Sequence, residues 1–356
     1  MDSWRVTAFG GPLEKQTNPT PAPKGREVLV RITGCGVCHS DVHLLDGHFD
    51  LGGGRKVDMA RSVGLPRTLG HEIAGEVIAV GEAVKPGEAK IGDRRVVFPW
   101  IGCGACGICT SGDEHLCNQP RALGVNADGG YASHALVPGP QYLFAFDGID
   151  EALACTYACS GLTAFGALKK AKAGLGSSGK GGGELLIIGA GGVGLSGVRM
   201  AEAVCGVKPI VADIDQSKWA AAKAAGAKET IDPGNADTMK ALLRATGGGP
   251  VAVIDFVGAA ASFTFGFNAL RKGGRLIVVG LFGGAASLPV PMIPLKNATI
   301  MGSYVGNLAD MAEMMALAKS GKVPALPVAK RPLAEVGEVL AALRGGKIVG
   351  RTVVVP

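Results

Sequence analysis

The sequence predicts an α/β protein of two parts: a β-rich segment, and a doubly wound parallel sheet covered by helices on both faces. Three observations lead there. At 356 residues the chain is too long for one ordinary core. From about residue 184, continuous apolar runs that end in Gly or Asp alternate with Ala-rich helical patterns, the signature of strands buried on both faces. Before about residue 160, the β-prone runs are short and separated by Gly, Pro and Asp.

Taken in order, "EVLVRITG", "EIAGEVIAVG" and "DRRVVFPW" read as strands of a small antiparallel barrel or sandwich that carries long functional loops. The Gly-rich run "KAGLGSSGKGGG", residues 172–183, reads as a flexible connection into the first parallel strand. "ELLIIGAGGVG", "KPIVADID", "VAVIDFVG" and "GRLIVVGLFGG" supply the parallel strands, with helical stretches such as "QSKWAAAKAAGA" between them. Beyond about residue 305, one helix ("LADMAEMMALAKSGK") and short terminal strands complete the chain.

Composition narrows the function classes. Hydrophobic residues make up 47% and charged residues 19%, as in a packed globular protein. The 36 basic and 30 acidic residues give +6 without a basic block, and aromatics are 5%. A nucleic-acid groove would need clustered Lys/Arg and stacking rings, so no nucleic-acid partner is expected. No apolar window is long enough to span a membrane, and the N-terminus "MDSWRVTAFGG" lacks the apolar core of a signal peptide. The expectation is a cytoplasmic protein with no membrane partner. Its nine cysteines then stay reduced and point to metal binding or catalysis.

Gly189-Ala-Gly191-Gly192-Val193-Gly194 is a G-x-G-x-x-G between a strand pattern and a helical pattern. The first Gly allows the turn, the second admits a pyrophosphate to the backbone, and the third lets helix and strand pack closely. The helix N-terminus then offers unpaired N–H groups to the phosphates. Asp213 closes the next strand, where a carboxylate can accept hydrogen bonds from ribose hydroxyls and repel a 2′-phosphate. No Arg follows it, since Ile214 and Asp215 come next, so the expected cofactor is NAD rather than NADP. Lys218 is expected among the cofactor contacts.

Cys103, Cys106, Cys109 and Cys117 supply four thiolates from one short loop, as a closed structural zinc site requires. Some iron–sulfur spacings are similar, but nothing else in the sequence suggests electron transfer. Elsewhere, Cys35-Gly-Val-Cys38-His39 matches the C-x-x-C-H attachment signature of a c-type haem, and could equally be half of a redox pair or part of a metal site. His71-Glu72 in "TLGHEIAG" and Cys159 in "TYACSGLTAFGA" are further candidates; singly, each has an ordinary packing or hydrogen-bonding explanation.

In combination, these motifs make the chain resemble the zinc-dependent alcohol dehydrogenases of the medium-chain dehydrogenase/reductase superfamily, over essentially its whole length. The resemblance implies a GroES-like catalytic domain at 1–160, a Rossmann NAD-binding domain at 161–304, and a return to the catalytic domain at 305–356. It implies that Cys38, His71 and Cys159 hold a catalytic zinc, two thiolates and an imidazole leaving the fourth tetrahedral position open. Glu72 would lie behind the metal as a transient ligand, and Asp41 would orient the His ligand. Ser40 and His43 would carry the substrate proton to the surface through the cofactor ribose, and His39 and Arg351 would meet the pyrophosphate. Cys35 matches no ligand, so the haem reading fails.

The activity so implied is reversible hydride transfer between NAD and a primary or secondary alcohol, giving an aldehyde or ketone, with two zinc ions per chain. A polyol or amino-alcohol dehydrogenase of the same superfamily is the nearest alternative, but such relatives usually carry Glu where Cys159 stands. A non-catalytic NAD-binding structural protein is a second alternative, against which the retained Ser40 and His43 argue. Pairing through a Rossmann edge strand, for which "ATIMGSYVG" is the candidate, makes a homodimer or homotetramer the expected assembly. The stretch between Cys38 and His71 is longer than in close members. Its extra segment, residues 49–66, is expected to be either an inert loop or one wall of the substrate mouth, where its basic residues would favour anionic substrates. Trp100 is expected to wall the pocket.

Overall fold

A computed structural model describes residues 1–175 and 183–356 of the chain. Six parallel strands form the larger α/β sheet. From one edge to the other they run Glu229–Ile231, Ile210–Ala212, Leu185–Ile188, Ala252–Asp255, Arg275–Val278 and Thr299–Gly302. In sequence order this is 3-2-1-4-5-6, the doubly wound arrangement whose chain reversal opens a crevice above the first strand. The uninterrupted apolar sequences explain the placement: Leu185–Ile188 and Ala252–Asp255 are buried at every position. Thr299–Gly302 lies at one edge, with one neighbour among the described residues.

The first part of the chain builds a seven-stranded sheet centred on Val28–Gly36, which pairs antiparallel with Glu72–Val80 and with His134–Val137. A three-stranded sheet of Leu13–Thr17, Asp2–Val6 and Arg67–Thr68 stands beside it. The C-terminal strand Arg351–Val355 returns to this part and pairs antiparallel at Val353 with Gly36 and at Val354 with Cys35. Its other neighbour, Val328–Pro332, runs parallel to it, so this region is not purely antiparallel as the sequence suggests.

The helix Leu162–Leu175 continues through the start of the glycine-rich run read as a connection. Gly174 looks like a breaker in sequence, yet it is buried, and a Cβ there would stand 2.7 Å from Arg275 Nε. It is small because the helix packs closely on that side chain. The rest of the expected connection, residues 176–182, lies outside the described residues. Among the described residues, no helix is long and apolar enough to cross a membrane.

Candidate active site

Three separate elements deliver Cys38, His71 and Cys159 to one point. Cys38 follows the central strand and N-caps the helix His39–Asp46. His71 directly precedes the strand Glu72–Val80, and Cys159 lies in the π-helical turn Tyr157–Gly161, a wide turn of the kind often found at functional sites. All three residues are buried, and their ligand atoms lie within 4.8 Å of one another. Cys35 is excluded from the cluster; its sulfur packs in the core, close to Gly70 and Gly130.

Asp41 organises the cluster from behind. Fully buried, its carboxylate accepts from His71 Nδ1 at 3.1 Å, Tyr131 hydroxyl at 2.7 Å, Cys38 N at 3.0 Å and Gly70 N at 3.3 Å. The bond at Nδ1 fixes the His71 tautomer and leaves Nε2 toward the cluster, buried and without a hydrogen-bond partner. Burial opposes a charge on His71, but the Asp41 carboxylate and Cys38 outweigh it and hold its pKa well above the usual imidazole range. The hydrogen bond with Cys159 holds Cys38 well below the usual thiol range, and the same contact raises Cys159.

Glu72 is fully buried one residue on. It accepts from Ser160 N at 3.0 Å and forms an ion pair with Arg351. Burial raises its pKa despite the guanidinium. Arg351, expected at a pyrophosphate, is thus directed at Glu72, while its aliphatic stem lies against Gly192 of the glycine loop. The arginine joins the two halves of the site.

The cluster opens into a cleft of about 900 Å³. On its other side stands the glycine loop at the start of the helix Gly192–Cys205. Gly189 has φ +95°, and a Cβ on Gly194 would fall 1.8 Å from the Gly189 carbonyl oxygen, so neither position tolerates a side chain. A Cβ on Gly191 would meet nothing within 4 Å, which leaves room over the loop for a ligand backbone. Asp213 holds the loop by accepting from Ala190 N at 2.6 Å and Asp215 N at 2.8 Å. Val193 and Lys218 also line the cleft, and Lys218 pairs with Asp215 at 3.3 Å.

His39, Ser40 and His43 line the same cleft from the first turns of the helix after Cys38. The two imidazole rings stand 5.2 Å apart. Burial and the neighbouring His39 lower the pKa of His43. Trp100 is pinned by an indole N–H bond of 2.9 Å to the Ala158 carbonyl, and its ring lies tilted against the His71 ring at 5.3 Å between centroids.

The long segment between Cys38 and His71 forms the hairpin His48–Gly52 and Arg55–Asp58 with a short helix, Ala60–Val63. Phe49 and Met59 face the cleft, so it does form a wall. Its basic residues do not: Arg55, Lys56 and Arg61 are exposed and absent from the cleft lining. The expected preference for anionic substrates therefore has no support in the geometry: the strand Arg55–Asp58 is exposed at every position, and Arg61 lies exposed on the short helix.

Cys103, Cys106, Cys109 and Cys117 form a second cluster on a separate loop. Sulfur–sulfur separations of 3.5, 3.8 and 3.9 Å bracket the roughly 3.8 Å edge of a tetrahedron with metal–sulfur bonds of about 2.3 Å. Backbone N–H groups of Cys103 and Gln119 each donate to Cys117 sulfur at 3.3 Å. Backbone N–H bonds from Ala105 and Cys106 lower Cys103 to about 6, favouring the thiolate that a metal needs. All nine cysteines are free thiols.

Comparison with known proteins agrees with this geometry. Residues 24–146 match the alcohol dehydrogenase GroES-like domain and residues 192–320 the zinc-binding dehydrogenase domain. An NAD-dependent alcohol dehydrogenase of Sulfurisphaera tokodaii is 39% identical, covering 100% of both chains. The chain belongs to the zinc-type medium-chain alcohol dehydrogenase family. An NAD-dependent alcohol dehydrogenase of Saccharolobus solfataricus is similar at 38% identity and the same coverage. The crystal structure of the alcohol dehydrogenase from Aeropyrum pernix superposes with a TM-score of 0.88 at 30% identity, covering 100% of both chains.

For a zinc-type dehydrogenase, both clusters fit their metal. Four thiolates with tetrahedral spacing suit a closed site, and two thiolates with one orphaned imidazole nitrogen suit a three-ligand site with an open position. The cleft fits a dinucleotide at the loop whose glycines leave the space. Sequence reasoning missed Tyr131 and Tyr304. Tyr304 is half exposed, but its hydroxyl lies deep in the cleft, where burial pushes it up to about 12.

Proposed function

We propose that the chain interconverts alcohols and aldehydes or ketones by hydride transfer to and from NAD at this cleft, with one catalytic and one structural zinc. The observation that carries the reading is the orphaned His71 Nε2 between Cys38 and Cys159, facing the cavity that the glycine loop also lines. When bound there, zinc supplies a Lewis acid that lowers the pKa of the substrate hydroxyl and polarises a carbonyl.

The chain's own residues do the rest. Asp41 holds the His71 ring in its metal-binding tautomer. Ser40 and His43 line the cleft on the helix after Cys38, where Ser40 would take the substrate proton and His43 would receive it; NAD, when bound, would supply the ribose hydroxyls between them. With its pKa lowered by burial, His43 stays neutral and able to accept it. The glycine loop and the first turn of its helix bind the pyrophosphate, with His39 on the opposite wall, and Asp213 and Lys218 set the adenosine ribose. Trp100, Phe49 and Met59 close the substrate end with apolar surface and exclude water. Glu72 and Arg351 support the metal ligands from below.

The return of Arg351–Val355 to the first sheet supports a catalytic domain of residues 1–160 and 305–356 around a cofactor domain of residues 161–304. The unpaired edge at Thr299–Gly302 supports a homodimer or homotetramer built by edge pairing. The cytoplasmic assignment rests on the reduced-thiol chemistry of both clusters. The deciding experiment is NAD reduction by the zinc-loaded protein over a panel of short aliphatic, benzylic and acid-bearing alcohols, with NADP in parallel. Turnover with NAD supports the reading. Silence across the panel, and with aldehydes and ketones in reverse, refutes it.

A further inference from the structure

Tyr304 enters the cleft from a bend, residues 303–307, between the edge strand Thr299–Gly302 and the helix Leu308–Lys319. Within it Val305 has φ +37°, a left-handed conformation that a β-branched residue adopts only where its surroundings impose it. One side of the bend is held by the helix Leu162–Leu175. Lys170 Nζ donates to Ser303 Oγ at 3.0 Å, and a Cβ on Gly166 would fall 2.7 Å from the Val305 carbonyl oxygen.

The other side is held by the four-cysteine loop. Glu114, between Cys109 and Cys117, is buried and accepts from Leu308 N at 2.8 Å. Leu308 is the first helical residue after its cap, Asn307, so its N–H has no partner within the helix. A carboxylate suits that position because the helix dipole is positive there. Asn307 Nδ2 also donates to Asp113 Oδ1, at 3.5 Å. The same loop follows directly on Trp100, whose ring meets Tyr304 edge to face at 5.8 Å between centroids and His71 at 5.3 Å. One loop therefore reaches both aromatic rings beside the metal cluster, Trp100 through the chain and Tyr304 through Glu114.

We propose that Glu114 is a positioning residue for the substrate end of the cleft: its bond to Leu308 N fixes the bend that presents Tyr304, and so sets how closely an aromatic substrate is gripped. This rests on the dehydrogenase reading and adds to it a residue that is absent from the cleft lining, so that Glu114 acts only through the bend.

The test is the ratio of NAD-linked kcat/KM for benzyl alcohol to that for ethanol, which does not depend on the fraction of enzyme folded or zinc-loaded. An aromatic contact is worth about two- to tenfold, so Glu114→Ala should lower the ratio about threefold or more, and Tyr304→Ala by at least as much. On the Tyr304→Ala background, Glu114→Ala should lower it no further, since both act through one ring. Glu114→Gln keeps an acceptor oxygen and should restore most of the ratio. Leu308→Pro removes the same bond from the donor side, at a position where a helix tolerates proline, and should repeat the effect of Glu114→Ala. Deuterium uptake by the peptide spanning residues 303–310 should rise in Glu114→Ala and stay near wild type in Glu114→Gln. Thermal melting identifies a variant that fails to fold, and Leu308→Pro then decides in place of Glu114→Ala. An unchanged ratio, an unchanged uptake, or a full further loss on the Tyr304→Ala background would overturn the inference, while turnover of ethanol leaves the dehydrogenase reading intact. No turnover of any alcohol or carbonyl compound by the wild type defeats that reading, and this inference with it.

Discussion

Glu72 and Arg351 form an ion pair in the protein interior, 279 residues apart in sequence and with side-chain exposures of 0% and 5%. Both charges are buried, and each makes the other tolerable. Arg351→Met should therefore destabilise the protein by roughly 3–5 kcal/mol, because it strands a buried carboxylate. The double variant with Glu72→Gln should regain most of that loss. Chemical denaturation of the zinc-loaded proteins measures both; equal stability of the single and double variants would show that the pair is not coupled.

The same logic of burial gives His43 a pH signature. Its pKa lies below the ordinary 6.5, first because of burial and then because of His39. A depressed imidazole binds its proton more weakly folded than unfolded. Its stability penalty is absent at high pH and grows as pH falls below 6.5 toward the folded value. As a proton acceptor it stays competent down to that lower value. Alcohol oxidation should accordingly show an acid limb with its midpoint below 6.5, and His43→Gln should slow oxidation and remove that limb. A midpoint at or above 6.5 in the wild type would contradict the assignment.

Asp41 spends its carboxylate on four donors, so Asp41→Asn changes little in shape and much in chemistry. An amide accepts fewer bonds, and its nitrogen meets donors that expect an acceptor. Zinc affinity at the three-ligand cluster should fall about 10–100-fold. Chelator competition reads this directly, and metal retention equal to wild type would remove Asp41 from its supporting role.

The two metal clusters should separate cleanly under mutation. Cys38→Ala should abolish turnover and lower zinc from about two per chain to about one, with modest change in melting temperature. Cys106→Ala should also lose about one zinc but chiefly lower the melting temperature, since that cluster braces a loop. Full activity in Cys38→Ala would reassign the ligands.

What could be seen from sequence follows from how local each signal is. The strand Leu185–Ile188 is legible because burial on both faces demands a continuous apolar run. The glycine loop is legible because backbone sterics dictate its residues: Gly194 has no room for a Cβ. The four-cysteine loop carries all its ligands within 15 residues. Tyr131 was not legible, since its bond to Asp41 depends on Gly130 and Tyr131 pairing back onto Gly70 and Leu69. The Glu72–Arg351 pair depends likewise on the C-terminal strand returning beside Gly36. The direction of Arg55 and Lys56 was set by a hairpin whose Gly-rich turn gives no alternating pattern to read.

Asp213 offers the sharpest test of cofactor choice, because its two tasks can be told apart. Its carboxylate holds the glycine loop through Ala190 N, and its proposed second task is to accept from the cofactor ribose. Asp213→Asn keeps one acceptor oxygen for the loop but removes the charge that repels a 2′-phosphate. Asp213→Ala removes both. The ratio of kcat/KM with NADP to that with NAD should rise about tenfold or more in either variant, the equivalent of about 1.4 kcal/mol. The melting temperature should fall further in Asp213→Ala, where Ala190 N loses its partner. If the cofactor ratio stays constant while stability falls, Asp213 serves the loop alone and the preference for NAD is set elsewhere in the cleft.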